Sequence, residues 1–262
     1  MKLDAERVRG WIEDEDADAL ATYLMSGTHH GKPGAPQAVK LGVIGLLRER
    51  SAARQLGWAK KLMKRPENIA RAVACGLVAV GWERDRTGTE KRLRVLAEDP
   101  DWEVREWAAG GLADVLAGDF AGGMELCEAW SRQGDEAPCR AVALALSSRS
   151  KQRHASEARP MLAVMERLLP LDGSYLQKNL GPFTLGGGFL SRFPDATLKL
   201  LRRAGKRRDE NTRWNVAMAF TTAASRKHAA EGRAILAVLE GDDRKRVQSA
   251  LARARKNLSA AC

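Results

Sequence analysis

Apolar residues recur along this chain at intervals of three and four residues, not in alternation. Three stretches show the pattern most clearly. Their apolar stripes comprise Val73, Leu77 and Val80; Val142 and Leu146; and Leu162, Met165 and Leu169. Intervals of three and four place residues on one face of an α-helix, whereas strands alternate with a period of two. The pattern therefore predicts an all-α protein made of short helices.

Residues that end or cap helices are spaced regularly between these stretches. Proline, glycine and aspartate in such segments supply turn or N-cap chemistry ahead of a new helix. The segments are residues 32–36, 65–66, 99–100, 135–138, 171–173, 193–195 and 240–243. Their positions predict that a helix begins after each of them.

A short motif recurs through the chain: an acidic or capping residue, a base a few positions later, then small and apolar residues. The bases of its copies are Arg71, Arg105, Arg140, Lys178, Arg213 and Arg246, and a weaker copy includes Lys40. A period of about 35 residues with two helices per unit is typical of HEAT repeats, which bury their apolar faces only by stacking. We therefore predict a curved α-solenoid of about six HEAT-like repeats, one domain over residues 1–262 with residues 1–31 as an atypical cap.

The repeated base has two interpretations. An aspartate and an arginine at these positions can bond between neighbouring repeats and hold the stack together. Alternatively, the bases form a row of cations on the second helices, facing a basic concave surface that follows a DNA phosphate backbone. Both roles can occur in one protein, and the sequence leaves them open.

The charge of the chain favours a polyanionic partner. Lys and Arg number 44 against 33 Asp and Glu, a net charge of +11. Residues 1–31 carry a net charge of −4, residues 32–97 +10, residues 98–139 −9 and residues 140–262 +14. Positive charge attracts polyanions through counterion release, whereas an acidic block inside a basic protein requires a separate reason. Seven of the aromatic residues are Trp, a side chain suited to stacking.

Several classes of protein and site are excluded. The longest apolar run, residues 74–82, is too short to span a bilayer, and no apolar leader follows Met1. The four cysteines show no CxxC spacing, and the neighbouring His29 and His30 lack a third ligand. We therefore expect a cytoplasmic, monomeric protein without a metal, a cofactor or a membrane partner.

Three stretches form a pattern of a more specific kind. They are residues 101–109 with Trp102 and Glu106; Glu128, Ala129 and Trp130 followed by Arg140; and residues 175–181 with Lys178, followed by Arg192 to Ala196. Over residues 98 to about 201 the chain resembles the bacterial alkylpurine DNA glycosylases built from HEAT-like repeats, the DNA alkylation repair family. The resemblance implies a protein that binds double-stranded DNA and excises positively charged N3- and N7-alkylated purines without any cofactor.

The resemblance implies that Glu106 is the catalytic carboxylate and Trp102 the stacking wall. A cationic purine is already a good leaving group, so the enzyme need only stabilise positive charge on the sugar, which a carboxylate does. An indole face supports a cationic base by cation–π contact. Trp102 and Glu106 are four residues apart and therefore lie on one helical face. Trp107 points elsewhere, and we expect it in the core.

A further set of residues is predicted to contact DNA. It comprises Arg71, Arg140, Lys178, Arg192 and Arg213, together with Lys206, Arg207 and Trp214 in or near a dense basic run. The chain departs from the family where it has Gly181-Pro182, followed by Phe183, in place of Gly-Trp. The run Gly186–Gly188 predicts a close backbone approach or a broken helix. Two alternatives to a glycosylase therefore stay open: a non-catalytic relative that binds DNA by its shape, and a HEAT-repeat scaffold for a protein partner.

Overall fold

The computed structural model describes residues 1–29 and 31–260, and these form an all-α protein, as predicted. Strands in these residues are limited to Thr28–His29 and Lys32–Pro33, which pair antiparallel. Contacts divide the chain into two compact units, Met1–Gly118 and Asp119–Cys262, and the single domain stays a prediction. None of the described helices has the length and apolar character that crossing a membrane requires.

The first unit contains seven α-helices within its described residues. They are α1 (Ala5–Glu13), α2 (Ala17–Met25), α3 (Gln37–Arg48), α4 (Ala52–Met63), α5 (Asn68–Val78), α6 (Arg86–Ala97) and α7 (Trp102–Gly118). A 3₁₀ turn, Ala79–Gly81, follows α5. Helix α5 packs between α3 and α7, while α4 lies against α5, and α6 lies against both α5 and α7.

The second unit contains the remaining helices of the described chain. They are α8 (Phe120–Gln133), α9 (Glu136–Arg149), α10 (Ala155–Leu168), α11 (Ser174–Asn179), α12 (Leu190–Arg192), α13 (Pro194–Ala204), α14 (Glu210–Ala219), α15 (Ala229–Ala237) and α16 (Lys245–Ser259). A π-helix, Leu180–Phe189, joins α11 to α12, and 3₁₀ turns occupy Ser150–Gln152 and Ala223–His228.

The helix starts follow the predicted breaks. Helices α3, α5, α7, α9, α11, α13 and α16 begin at or just after the seven breaker segments. Aspartate side chains cap several helices, as Asp119 does by accepting a hydrogen bond of 2.9 Å from the Gly122 N–H, and Asp209 does for Thr212 at 2.8 Å. These caps satisfy backbone donors that have no partner inside the helix.

The predicted apolar stripes form the core. Every member is buried except Val80, which is partly exposed at the 3₁₀ turn after α5. The stripe on α5 packs in the first unit, and the stripes on α9 and α10 pack in the second. Burial of these aliphatic side chains stabilises each helix far more than its intrinsic propensity does.

Within the second unit the helices form two rows. Helices α9, α11 with the π-helix, α14 and α16 pack in succession and carry the repeated bases; we name them the base row. Helices α8, α10, α13 and α15 also pack in succession, and we name them the companion row. Contacts such as α8 with α9 and α15 with α16 join the two rows. Each two-helix repeat of the second unit thus contributes one helix to the base row and one helix to the companion row.

The glycine-rich segment shows the close backbone approach that its sequence predicted, and the helix is not broken there. It is a continuous π-helix in which two glycines approach α14 closely. A Cβ at Gly181 would lie 2.9 Å from the carbonyl oxygen of Asn215, and a Cβ at Gly186 would overlap the carbonyl oxygen of Ala219. Glycine is therefore needed at both positions because the neighbouring backbone fills the space of a side chain.

Candidate functional site

The first turn of α7 presents an indole and a carboxylate to solvent. Trp102 is the first residue of the helix, and its side chain is 60% exposed. Glu106 follows one turn later and is also exposed. The spacing of four residues places both on the same side of α7. The structure thus brings together the two residues predicted to be catalytic, on an open surface of the first unit.

Contacts from two other helices fix this first turn. Asp101 accepts hydrogen bonds of 2.8 Å from the Glu103 N–H and from Nδ2 of Asn68 on α5. Glu103 pairs with Nζ of Lys40, a side chain of α3 that is only 2% exposed. A buried ammonium is retained only where an acid compensates it. The pairing therefore holds the helix start against α3.

Arg71 adds a third connection at the same place. Its Nε and Nη2 donate to the carboxylate of Asp99 at 2.6 and 3.0 Å, and the hydrogen bond raises the pKa of Arg71. Its Nη1 donates to the carbonyl oxygens of Arg65 and Pro66. The side chain of Arg71 thus links α5 to the segment that precedes α7, which is the structural role considered for the repeated base.

Trp107 is only partly buried, whereas the sequence predicted a core residue. The ammonium of Lys40 lies 5.4 Å from the centroid of its ring. A cation over the ring face covers the indole without enclosing it in aliphatic side chains. In the sequence, the weak copy of the repeat at Lys40 was the one sign of the contacts that join Lys40 to Glu103 and Trp107.

The repeated bases of the second unit also make internal contacts. Arg213 donates to the carbonyl oxygen of Arg207 at 2.7 Å and to Asp242 at 3.0 Å. Arg244, with help from Arg213, holds the pKa of Asp242 well below its usual range. Arg140 is 6% exposed, and its guanidinium lies 4.0 Å from the Tyr175 ring centroid.

Arg246, Trp214 and Arg192 are likewise engaged within the protein. Arg246 donates to Oδ1 of Asn211 at 2.7 Å, and its guanidinium lies 4.5 Å from the ring centroid of Trp214, which is partly exposed. Arg192 donates to the carbonyl oxygen of Ser147 at 3.0 Å and to a nearby serine hydroxyl. Burial lowers the pKa of Arg192. These bases connect neighbouring helices.

Three of the predicted DNA contacts lie fully on the surface. Lys178 is exposed on α11, and Lys206 and Arg207 are exposed after α13. Arg207 pairs with Asp209 at 3.4 Å across open surface, an arrangement that holds a side chain only weakly. These three cations are better placed to meet a phosphate than the bases held between helices.

The π-helix presents a second exposed aromatic ring. Phe183 is 67% exposed, and it shares a solvent-facing stripe with Lys178, Gly187 and Ser191. The ring follows Gly181-Pro182, where the resemblance implied a tryptophan. The sequence showed only a departure from the family pattern at this place, because the effect of a π-helix on side-chain direction cannot be read from spacing.

No metal centre is evident among the described residues, where groups of three or more His, Cys, Asp or Glu suited to an ion are lacking. His30, which the sequence analysis considered beside His29, lies outside them. Of the cysteines, Cys75 and Cys127 are fully buried, and burial raises the pKa of each thiol. Such thiols are poor nucleophiles.

Comparison with known proteins does not identify a family. No family model matches the chain, and no curated protein matches it. A solved structure described as an engineered protein is 14% identical, with 99% of this chain and 100% of that chain covered and a TM-score of 0.29. A likeness of that extent supports no inference about function.

Proposed function

We propose that the protein is a DNA-binding repair protein that excises positively charged N3- and N7-alkylated purines from double-stranded DNA. The observation that carries the proposal is the exposed pair of Trp102 and Glu106 on the fixed first turn of α7. A large exposed indole is costly in water and suits a site where a base stacks. The reaction is a hydrolysis of the N-glycosidic bond and requires no cofactor.

Each residue of the pair has a distinct role in this proposal. Trp102 stacks against the cationic purine, and Glu106 stabilises the positive charge that develops on the sugar as the bond breaks. The carboxylate also orients the water that completes the hydrolysis. The connections of Lys40, Asn68 and Arg71 to the start of α7 keep the pair in place before DNA arrives, which lowers the entropic cost of reaching the reactive geometry.

DNA binding in this proposal depends mainly on the exposed cations. Lys178 contacts phosphates of the duplex that carries the lesion, and Lys206 and Arg207 contact DNA phosphates from the end of α13. The engaged bases Arg71, Arg140, Arg192 and Arg213 shape the surface and contribute their field. The alternation of helices within the second unit supports a HEAT-like solenoid, and a basic concave face over a single domain belongs to the same proposal. We expect a monomer in the cytoplasm.

Base release from methylated duplex DNA tests the proposal. The wild-type protein should release N7-methylguanine and N3-methyladenine, and Glu106→Gln should lower the rate at least tenfold with unchanged thermal stability. Glu83→Gln is a matched control, because Glu83 is an exposed glutamate of the same unit; it should leave the rate unchanged. Equal rates for wild type and Glu106→Gln would refute the catalytic role.

Two alternatives have their own supporting observations. The replacement of Gly-Trp by Gly181-Pro182 favours a non-catalytic protein that binds DNA by its shape, which would bind duplex DNA without releasing a base. The ion pairs of Arg71 with Asp99 and of Arg213 with Asp242 favour a protein scaffold whose repeated bases are purely structural. Duplex binding that weakens steeply with salt would exclude the scaffold.

A further inference from the structure

The solvent-facing side of α13 carries a row of cations. Arg202 and Arg203 follow Lys199 by three and four residues and precede Lys206 by four and three. The four residues therefore lie on one helical face, and all four are exposed. Lys206 lies just beyond the end of α13, and its backbone N–H donates a hydrogen bond to the Arg203 carbonyl oxygen, which continues the helical turn. No acidic residue occurs from residue 196 to residue 208. We name these four residues the α13 stripe.

The α13 stripe takes little part in holding the fold together. Arg203 pairs with Glu166 of α10 and lowers the pKa of that carboxyl. In the described part of the chain, no hydrogen bond or ion pair engages the side chains of Lys199, Arg202 and Lys206. The repeated bases differ, because their guanidinium groups contact carboxylates, carbonyl oxygens or rings between helices. The α13 cations therefore have no structural role that accounts for their number.

The α13 stripe lies on a different side of the second unit from the exposed residues of the base row. Helix α13 packs between α10 and α15 in the companion row and buries Leu198 and Leu201. Lys178 and Phe183 lie on the base row. When two rows of helices pack together, their buried sides face each other and their exposed sides face away. One straight duplex therefore does not reach both surfaces.

We propose that the α13 stripe binds the phosphate backbone of a second DNA duplex, so that the protein bridges two DNA segments. The inference rests on the proposed DNA binding for the first duplex. The stripe spans about 10 Å at 1.5 Å per residue, a length that covers several phosphates. It contains cations without an aromatic ring, a composition that suits backbone contact and not base stacking.

A capture experiment with two short duplexes tests the bridge. One duplex is immobilised, the protein is loaded and washed, and a fluorescent second duplex is then added. The variant Lys199→Gln/Arg202→Gln/Arg203→Gln should load onto the first duplex but retain several-fold less of the second. The slope of log capture against log salt should become shallower by about 2 to 3, since each phosphate contact contributes about 0.9.

A second triple variant controls for net charge. Lys60, Lys64 and Lys91 are exposed lysines of the first unit, and Lys60→Gln/Lys64→Gln/Lys91→Gln should capture the second duplex as the wild type does. Loading without capture by the wild type, or equal capture by the α13 variant, would overturn the bridge alone. Failure of the wild type to load would overturn DNA binding altogether, whereas capture without base release would overturn only the repair reaction.

Discussion

The start of α7 in the first unit and the π-helix in the second both present an aromatic ring to solvent, and they hold it by different means. Trp102 is 60% exposed and Phe183 is 67% exposed. At α7, charged and polar side chains from α3 and α5 fix the helix start. At the π-helix, glycines allow the backbone to lie directly against α14.

The two means differ in what disturbs them. The α7 start depends on compensated charge, so removal of one partner leaves a buried ion unpaired. The π-helix depends on the absence of side chains, so the addition of one carbon forces the backbone apart. An exposed ring can therefore be positioned either by paired charges or by glycines that let two backbones come close. A different substitution tests each of these two means.

The largest expected effect follows from breaking the Lys40–Glu103 pair. Glu103→Gln leaves the ammonium of Lys40, which is 2% exposed, without its acid partner. We expect a loss of about 3–5 kcal/mol in the free energy of unfolding, measured by urea denaturation. Glu98→Gln is the control, because it breaks the exposed pair with Arg94 and should cost only about 0.3–0.5 kcal/mol.

A double variant separates the cost of an unpaired charge from the worth of the pair. Lys40→Met/Glu103→Leu removes both charges and keeps similar volume, so most of the stability lost in Glu103→Gln should return. If the double variant is as unstable as Glu103→Gln, packing and not charge holds the start of α7, and the contrast with the π-helix disappears.

A slightly smaller effect is expected from adding a carbon to the π-helix. The Cβ of Gly186→Ala would overlap the carbonyl oxygen of Ala219, a backbone atom that cannot rotate away. We expect a loss of about 2–3 kcal/mol by chemical denaturation. Gly187→Ala should be neutral or stabilising, because the nearest atom to its Cβ, the Pro182 carbonyl oxygen, is 3.7 Å away. Equal losses in both variants would show that glycine flexibility, and not close approach, is required.

Much of this arrangement follows from the sequence, and the parts that do not have physical reasons. The three-and-four periodicity and the breaker segments predict the helices and their starts, because burial and capping are local signals. The two uses of the repeated base were both anticipated, but Arg71 and Arg213 reach acids about thirty residues away, a pairing that only folding determines. The exposure of Phe183 depends on a π-helix, whose register local spacing does not encode.

A third prediction tests whether the second unit also relies on charge pairing. The pKa of Asp242 is lowered by hydrogen bonds from Arg244 and Arg213, so Asp242→Asn should cost roughly 1.5 kcal/mol at neutral pH. The pKa of Asp242 is lower in the folded protein than in the unfolded chain. The stabilisation from ionised Asp242 is therefore fully present above the unfolded-state pKa, and it is lost as the pH falls through the folded-state pKa. The gap in melting temperature between wild type and variant should therefore narrow below about pH 4. A difference in melting temperature that widens at lower pH would mean that the ionised form of Asp242 destabilises the folded protein.

The smallest effect on stability is expected from the two rings themselves. Trp102→Ala and Phe183→Ala remove side chains that are mostly in water, so each should change the free energy of unfolding by at most about 0.5 kcal/mol. Each should also weaken duplex DNA binding by about 1 kcal/mol, the lower end of base stacking on an aromatic ring, measured by fluorescence anisotropy.

The pattern across these two variants decides what the two regions have in common. Loss of affinity for duplex DNA in both variants, with stability unchanged, would mean that both rings contact DNA. Charge pairing at α7 and close backbone approach at the π-helix would then both support DNA binding. Loss in Trp102→Ala alone would restrict DNA contact to the α7 start. A ring whose removal lowers stability and leaves affinity unchanged is part of the fold, because a stacking residue contributes its free energy only when a base is bound.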